Sequence, residues 1–76
     1  MANKAKISYM IECQTKIAQG LERSLKVLRE EADNEMVYTQ LSEHSPYYTK
    51  AISQLETRRK LALAKIDILN RTLTKE

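Results

Sequence analysis

The chain predicts an all-α fold, an antiparallel helical hairpin with coiled-coil-like packing, and three observations carry that expectation. Two apolar seams of matching length advance in alternating steps of four and three residues. A Ser45-Pro46 pair stands between them, the kind of pair that opens a helix. The composition has one Gly, one Pro, and neither Trp nor Phe, with 42% hydrophobic and 30% charged residues, which is too apolar and too poor in helix breakers for a disordered tail. At 76 residues and 8.8 kDa one small domain spanning 1–76 is expected, with no room for a separate cofactor fold. A layer of two helices buries little apolar area for the conformational entropy it gives up, so a partner subunit is expected as well.

The first helix is read from Ile7, Ile11, Gln14, Ala18, Leu21, Leu25, Leu28 and Ala32, a seam that keeps one face toward a neighbouring helix. Met10, Ile17 and Val27 widen this face, and Lys6, Lys16, Arg23 and Lys26 take solvent-facing or flanking positions. Glu12 with Lys16 and Glu22 with Lys26 are oriented for i,i+4 pairing, each contributing about 0.2–0.5 kcal/mol. Gly20 interrupts the pattern, either as a tolerated surface defect or as a point of close approach by another helix.

From Glu30 to His44 two readings stand side by side. In one the first helix spans about 4–41 and turns through Ser42 to Ser45. In the other it spans about 4–32, Asp33-Asn34 makes a turn, and a short third helix follows. The acidic cluster favours the break, because carboxylates at the C-terminal end of a long helix oppose its dipole, whereas Met36, Val37 and Leu41 would prolong the apolar face. The second long helix, about 46–74, is read from Tyr48, Ile52, Leu55, Arg59, Ala62, Ile66, Leu69 and Leu73. Residues 61–69 are apolar around more than one side, so the excess at Leu61, Leu63, Ile66, Ile68 and Leu69 points to a partner.

Charge is unevenly placed: residues 1–29, 30–45 and 46–76 carry net charges of +4, −5 and +4, which make up the overall +3. This is modest for a nucleic-acid binder. The run Arg58-Arg59-Lys60, with Lys65 and Arg71 beyond it, could meet phosphates, yet Glu56 and Asp67 are interspersed and the cations keep no single face, so a solvated helix surface is the plainer reading. Arg59 occupies a seam position, from which it can reach Gln14 or a carboxylate across the hairpin or set a polar layer that fixes register. Tyr47 and Tyr48 open the second helix and either pack the turn or anchor a partner.

The sequence supplies no catalytic constellation. Cys13 and His44 are about thirty positions apart without further convincing zinc ligands, no base and orienting group accompany the thiol, and Glu30 and Glu31 have no apolar pocket to tune an acid. No enzymatic activity, metal or cofactor is expected. A single cysteine excludes an internal disulfide, no run approaches the length of a membrane span, and Lys6, Ser8 and Glu12 interrupt any signal-like apolar segment near the N-terminus. The expected compartment is the cytoplasm.

The segment Tyr47-Tyr48-Thr49-Lys50-Ala51-Ile52-Ser53-Gln54-Leu55-Glu56 running into Ala62-Leu63-Ala64-Lys65-Ile66-Asp67-Ile68-Leu69, after a Leu-rich first helix and a polar turn, resembles the small co-chaperones of type III secretion needle subunits. The resemblance covers most of the chain as an arrangement and departs from it in the acidic, tyrosine-bearing segment from Glu30 to Tyr48. It implies a helical hairpin that binds a tetratricopeptide-like chaperone, the pair holding the needle subunit soluble in the cytoplasm before export. The contact would use Leu61, Leu63, Ile66, Ile68 and Leu69, with Tyr47 and Tyr48 as further candidates. The alternative is a homodimer of hairpins that binds nucleic acid through Arg58, Lys60, Lys65 and Arg71.

Overall fold

A computed structural model of the chain describes residues 4–75. Residues 1–3, on which part of the signal-segment expectation rests, lie outside the described residues. Two helices, α1 (Lys4–Thr39) and α2 (Pro46–Lys75), run antiparallel and pack along their lengths in a rod with Cα extents of 58 × 14 × 14 Å. The all-α hairpin is therefore the fold.

Both seams fall on the packed side. Every one of their sixteen positions is buried or half-buried, from Ile7 through Ala32 on α1 and from Tyr48 through Leu73 on α2. Among the described residues, three of the six buried ones are alanines, Ala18, Ala32 and Ala62, whose small side chains let the backbones approach closely. Leu25, Ala32 and Ile52 form a buried cluster, with the larger side chains of Leu28, Tyr48 and Leu55 packed against it.

The first helix does not break at Asp33-Asn34, and no third helix forms near the turn. Its end falls at Thr39, two residues short of the longer of the two expected spans. Packing overrides the dipole penalty: Ala32 is 1% exposed in the seam, and half-buried Glu35 and Met36 carry the same face one turn further. One of the carboxylates that argued for a break, Asp33, finds a partner instead. Asp33 Oδ1 lies 2.7 Å from His44 Nε2, tying the helix to the connection, while Arg29 on the preceding turn reaches Glu56 of α2 at 3.0 Å.

Termination is by a reversal of backbone handedness. Gln40 has φ of 58°, Leu41 N–H donates to the Met36 carbonyl at 3.0 Å, and Gln40 N–H donates to the Val37 carbonyl at 3.4 Å. This is the Schellman arrangement, which satisfies carbonyls the helix end would leave open, with glutamine where glycine usually stands. The second helix begins as the sequence indicates. Pro46 is its first residue, and the Ser45 carbonyl accepts the first helical bond from Thr49 N–H at 3.0 Å. Within both helices threonine hydroxyls donate back to the carbonyl four residues earlier, as Thr15 does to Ile11 and Thr57 to Ser53, so these residues meet their polar needs without leaving the helix.

A candidate protein-docking face

The hairpin has two long flanks, one on each side of the packed seam, and they differ in chemistry. On one flank Arg59 crosses to Glu22 at 2.6 Å, Arg29 crosses to Glu56 at 3.0 Å, and these residues with Leu25 and Lys60 line a shallow groove. The expected Glu22–Lys26 pair is replaced by this crossing, because Arg59 in the seam brings its guanidinium beside the Glu22 carboxylate. Glu12 does pair with Lys16, at 3.6 Å. Arg59 thus meets a carboxylate, one of the partners its seam position allows, while its Nε is buried without an acceptor.

The other flank is apolar. Three shallow grooves follow one another between α1 and α2. The first is lined by Met10, Gln14, Lys65, Ile68 and Leu69. The second takes Ile17, Leu21, Arg58, Leu61 and Ala62, together with the Gln14 and Lys65 it shares with the first. Toward the turn the third is lined by Arg23, Ser24, Val27, Leu28, Glu31 and Leu55. Ile17, Val27, Leu61 and Ile68 on this flank are each 50–60% exposed. They recur at helical spacings beside the seam, so their exposure is one continuous band and not scattered single residues.

The seven residues expected to meet a partner divide three ways. Leu61 and Ile68 lie on the apolar flank, and Tyr47, fourteen residues or about four turns before Leu61, shares that side and is 72% exposed. Ile66, Leu69 and Tyr48 are half-buried in the seam and already spend their surface on α1. Leu63, 42% exposed, lies seven residues beyond Glu56 and so falls on the ion-paired flank. Of the two roles weighed for the tyrosine pair the structure shows the first: Tyr48 packs against the core cluster, while Tyr47 meets it edge-on at 5.1 Å between ring centres and is exposed.

Burial pushes the Tyr48 phenol above its ordinary range, and the Glu31 and Glu35 carboxylates nearby add to the shift. Tyr9 is also raised, first through its hydrogen bond to the Cys13 side chain and the charge of that group. Cys13 is half-buried on α1 and His44 sits at the turn, so the two residues a zinc site would have needed are far apart along the rod. The cations named for phosphate contact are likewise dispersed. Arg58 and Lys65 lie on the apolar flank, Lys60 on the opposite one, and Arg71 pairs with Asp67 at 2.8 Å.

No family model, curated protein or solved structure matches the chain. A candidate contact surface must therefore be read from the chain's own side chains. That surface adds Met10, Ile17 and Val27 to the residues expected from the second helix alone. Their signal is legible in the sequence, since they are the residues that widen the first helix's face, but only the paired arrangement shows that they and Leu61 with Ile68 share a side.

Among the described residues, no helix is long and apolar enough to cross a membrane.

Proposed function

We propose that the chain is a non-enzymatic helical binding protein that acts by covering an apolar surface of another protein with the flank carrying Met10, Ile17, Leu61 and Ile68. The observation that carries this reading is the asymmetry between the flanks: the hairpin completes its own seam, satisfies one flank with crossing ion pairs, and leaves the other with large apolar side chains facing water. Binding of this kind works by mass action, because a protein that holds the soluble form of its partner stabilises that form in proportion to occupancy.

Within this reading the resemblance supplies the specific role. The hairpin is a cytoplasmic co-chaperone that, with a tetratricopeptide-like chaperone, keeps a type III secretion needle subunit from polymerising before export. The long, thin shape supports that assignment, since a rod with one sticky flank can lie along the inner surface of a helical-repeat protein. The scattering of Arg58, Lys60, Lys65 and Arg71 over different sides lends no support to the nucleic-acid alternative.

Co-expression with a needle subunit and its tetratricopeptide-like chaperone tests the proposal. The expected result is a soluble complex of all three chains, lost on Leu61→Asp or Ile68→Asp while the helical circular dichroism of the free hairpin is unchanged. Leu63→Asp, on the ion-paired flank, retains the complex. Complex formation that survives both flank variants would sink the reading.

A further inference from the structure

The apolar flank also carries charge, and the charge is not balanced. Along its three grooves stand Arg23, Arg58 and Lys65, against a single carboxylate, Glu31. Among the described residues no ion pair takes Arg58 or Lys65, whereas on the opposite flank both Arg29 and Arg59 have crossed to carboxylates. Lys65 lines two adjoining grooves, so its ammonium borders the stretch from Ile68 to Leu61. Arg58 and Lys65 are seven residues apart on one helix, which sets their charges about 10 Å apart along the rod.

We infer that the occupant of this flank is an amphipathic helix whose apolar stripe is bordered by carboxylates about two turns apart, lying in the groove between α1 and α2. A helix fits because the flank is a trough between two parallel rods, and a third helix placed there buries its stripe against both. The distance from Met10 to Val27 along α1 is about 25 Å, room for a partner helix of about 18 residues. Carboxylates fit because they would pair with Arg58 and Lys65 at the groove's edge, steering association and excluding helices of the wrong sign. A second copy of this chain fits poorly. A two-fold contact places the same patch on both sides, so each copy would bring its three cations to the interface with only one carboxylate.

This inference rests on the apolar-docking reading and names the chemistry of its partner, and the test separates the two. Fluorescein-labelled helical peptides of about 18 residues share one leucine stripe and differ only in bordering it with Glu or with Lys; their binding to the purified hairpin is followed by anisotropy. The Glu peptide is expected to bind about tenfold more tightly or better at low salt, with the gap narrowing as salt rises. The doubly substituted Arg58→Glu, Lys65→Glu hairpin, its helicity checked by circular dichroism, is expected to reverse the preference. Equal binding of the two peptides overturns the charge assignment and leaves apolar docking standing. Binding of neither peptide by a chain that light scattering finds dimeric, and that Leu61→Asp makes monomeric, overturns it in favour of a second copy. Binding of neither by a monomeric chain defeats both readings.

Discussion

The two flanks of the hairpin are built on the same helices and differ in how they treat exposed surface. One closes on itself: Glu22 with Arg59 and Arg29 with Glu56 bridge the helices, and Asp33 holds His44 beside the turn. The other leaves Ile17, Val27, Leu61 and Ile68 open, and among the described residues no ion pair takes its Arg58 or Lys65. The contrast shows a division of labour. The ion-paired side spends its charges within the hairpin, and under the proposed function the apolar side is chosen for a partner instead of for the fold.

The largest effect should come from testing whether that division is real. Leu25, 3% exposed in the central cluster, and Leu61, 58% exposed on the flank, have the same side chain. Leu25→Ala is expected to cost about 2–5 kcal/mol, toward the lower part because a thin two-helix layer collapses easily onto a small cavity. Leu61→Ala is expected to stay within about 0.5 kcal/mol. Thermal or urea unfolding followed by circular dichroism makes the comparison, and a similar loss in both would mean that the flank belongs to the core.

Both flanks depend on the connection that sets the helices in register, and Gln40 is its strained residue. A side chain at φ of 58° crowds the neighbouring carbonyl, a conformation glycine adopts without cost. Gln40→Gly should therefore raise stability by about 0.5–1 kcal/mol, part of the relief being offset by the freer unfolded chain. A fall in the unfolding midpoint would show that the Gln40 side chain contributes something its backbone geometry does not reveal.

How far the sequence reveals this arrangement depends on the kind of signal. The seams are legible from Ile7 to Ala32 and from Tyr48 to Leu73 because burial in a hairpin repeats with the helix, and the start at Ser45-Pro46 is legible because its chemistry is local. The end of α1 is not. Glu30, Glu31, Asp33 and Glu35 oppose the helix dipole locally, and what outweighs them is the packing of Ala32 and the pairing of Asp33 with His44, neither visible without the second helix in place. The candidate docking face is legible in part. Leu61, Leu63, Ile66, Ile68 and Leu69 form one apolar run in sequence but point three ways in space. The seam spacing already sets Ile66 and Leu69 apart, but only the packed hairpin shows that Leu63 shares the side of Glu56 while Leu61 and Ile68 share that of Ile17 and Met10.

The crossing pairs invite a smaller test. The Arg59 and Glu22 side chains are 39% and 55% exposed, so solvent screens their attraction and the pair is worth about 0.2–1 kcal/mol. Arg59 also keeps a buried Nε without an acceptor, which costs in the other direction. Arg59→Leu, which fills the seam position with an apolar side chain, is expected to leave the unfolding midpoint unchanged or raised. Arg29→Ala, whose partner Glu56 is half-exposed, should lower stability by no more than about 1 kcal/mol. A loss well beyond that for Arg59→Leu would mean that the ion-paired flank supplies binding energy between the helices and not register alone.

The smallest expected effect lies at Tyr48, where the seam meets the acidic end of α1. Burial is the main reason its phenol is raised above the ordinary value near 10, with Glu31 and Glu35 adding to it. The sign follows from proton linkage. The folded chain holds the phenolic proton more tightly than the unfolded chain, so the associated stability is fully present below about pH 10 and is lost as the pH rises through the folded value. Thermal unfolding between pH 9 and 11 should therefore fall more steeply for the native chain than for Tyr48→Phe, which keeps the ring in the cluster and cannot ionise. Lysine titration over the same range affects both proteins and cancels in the comparison. Equal slopes would place the Tyr48 hydroxyl in water at the edge of the seam, and the turn end of the hairpin would then be more open than the middle, where Leu25 and Leu28 close it.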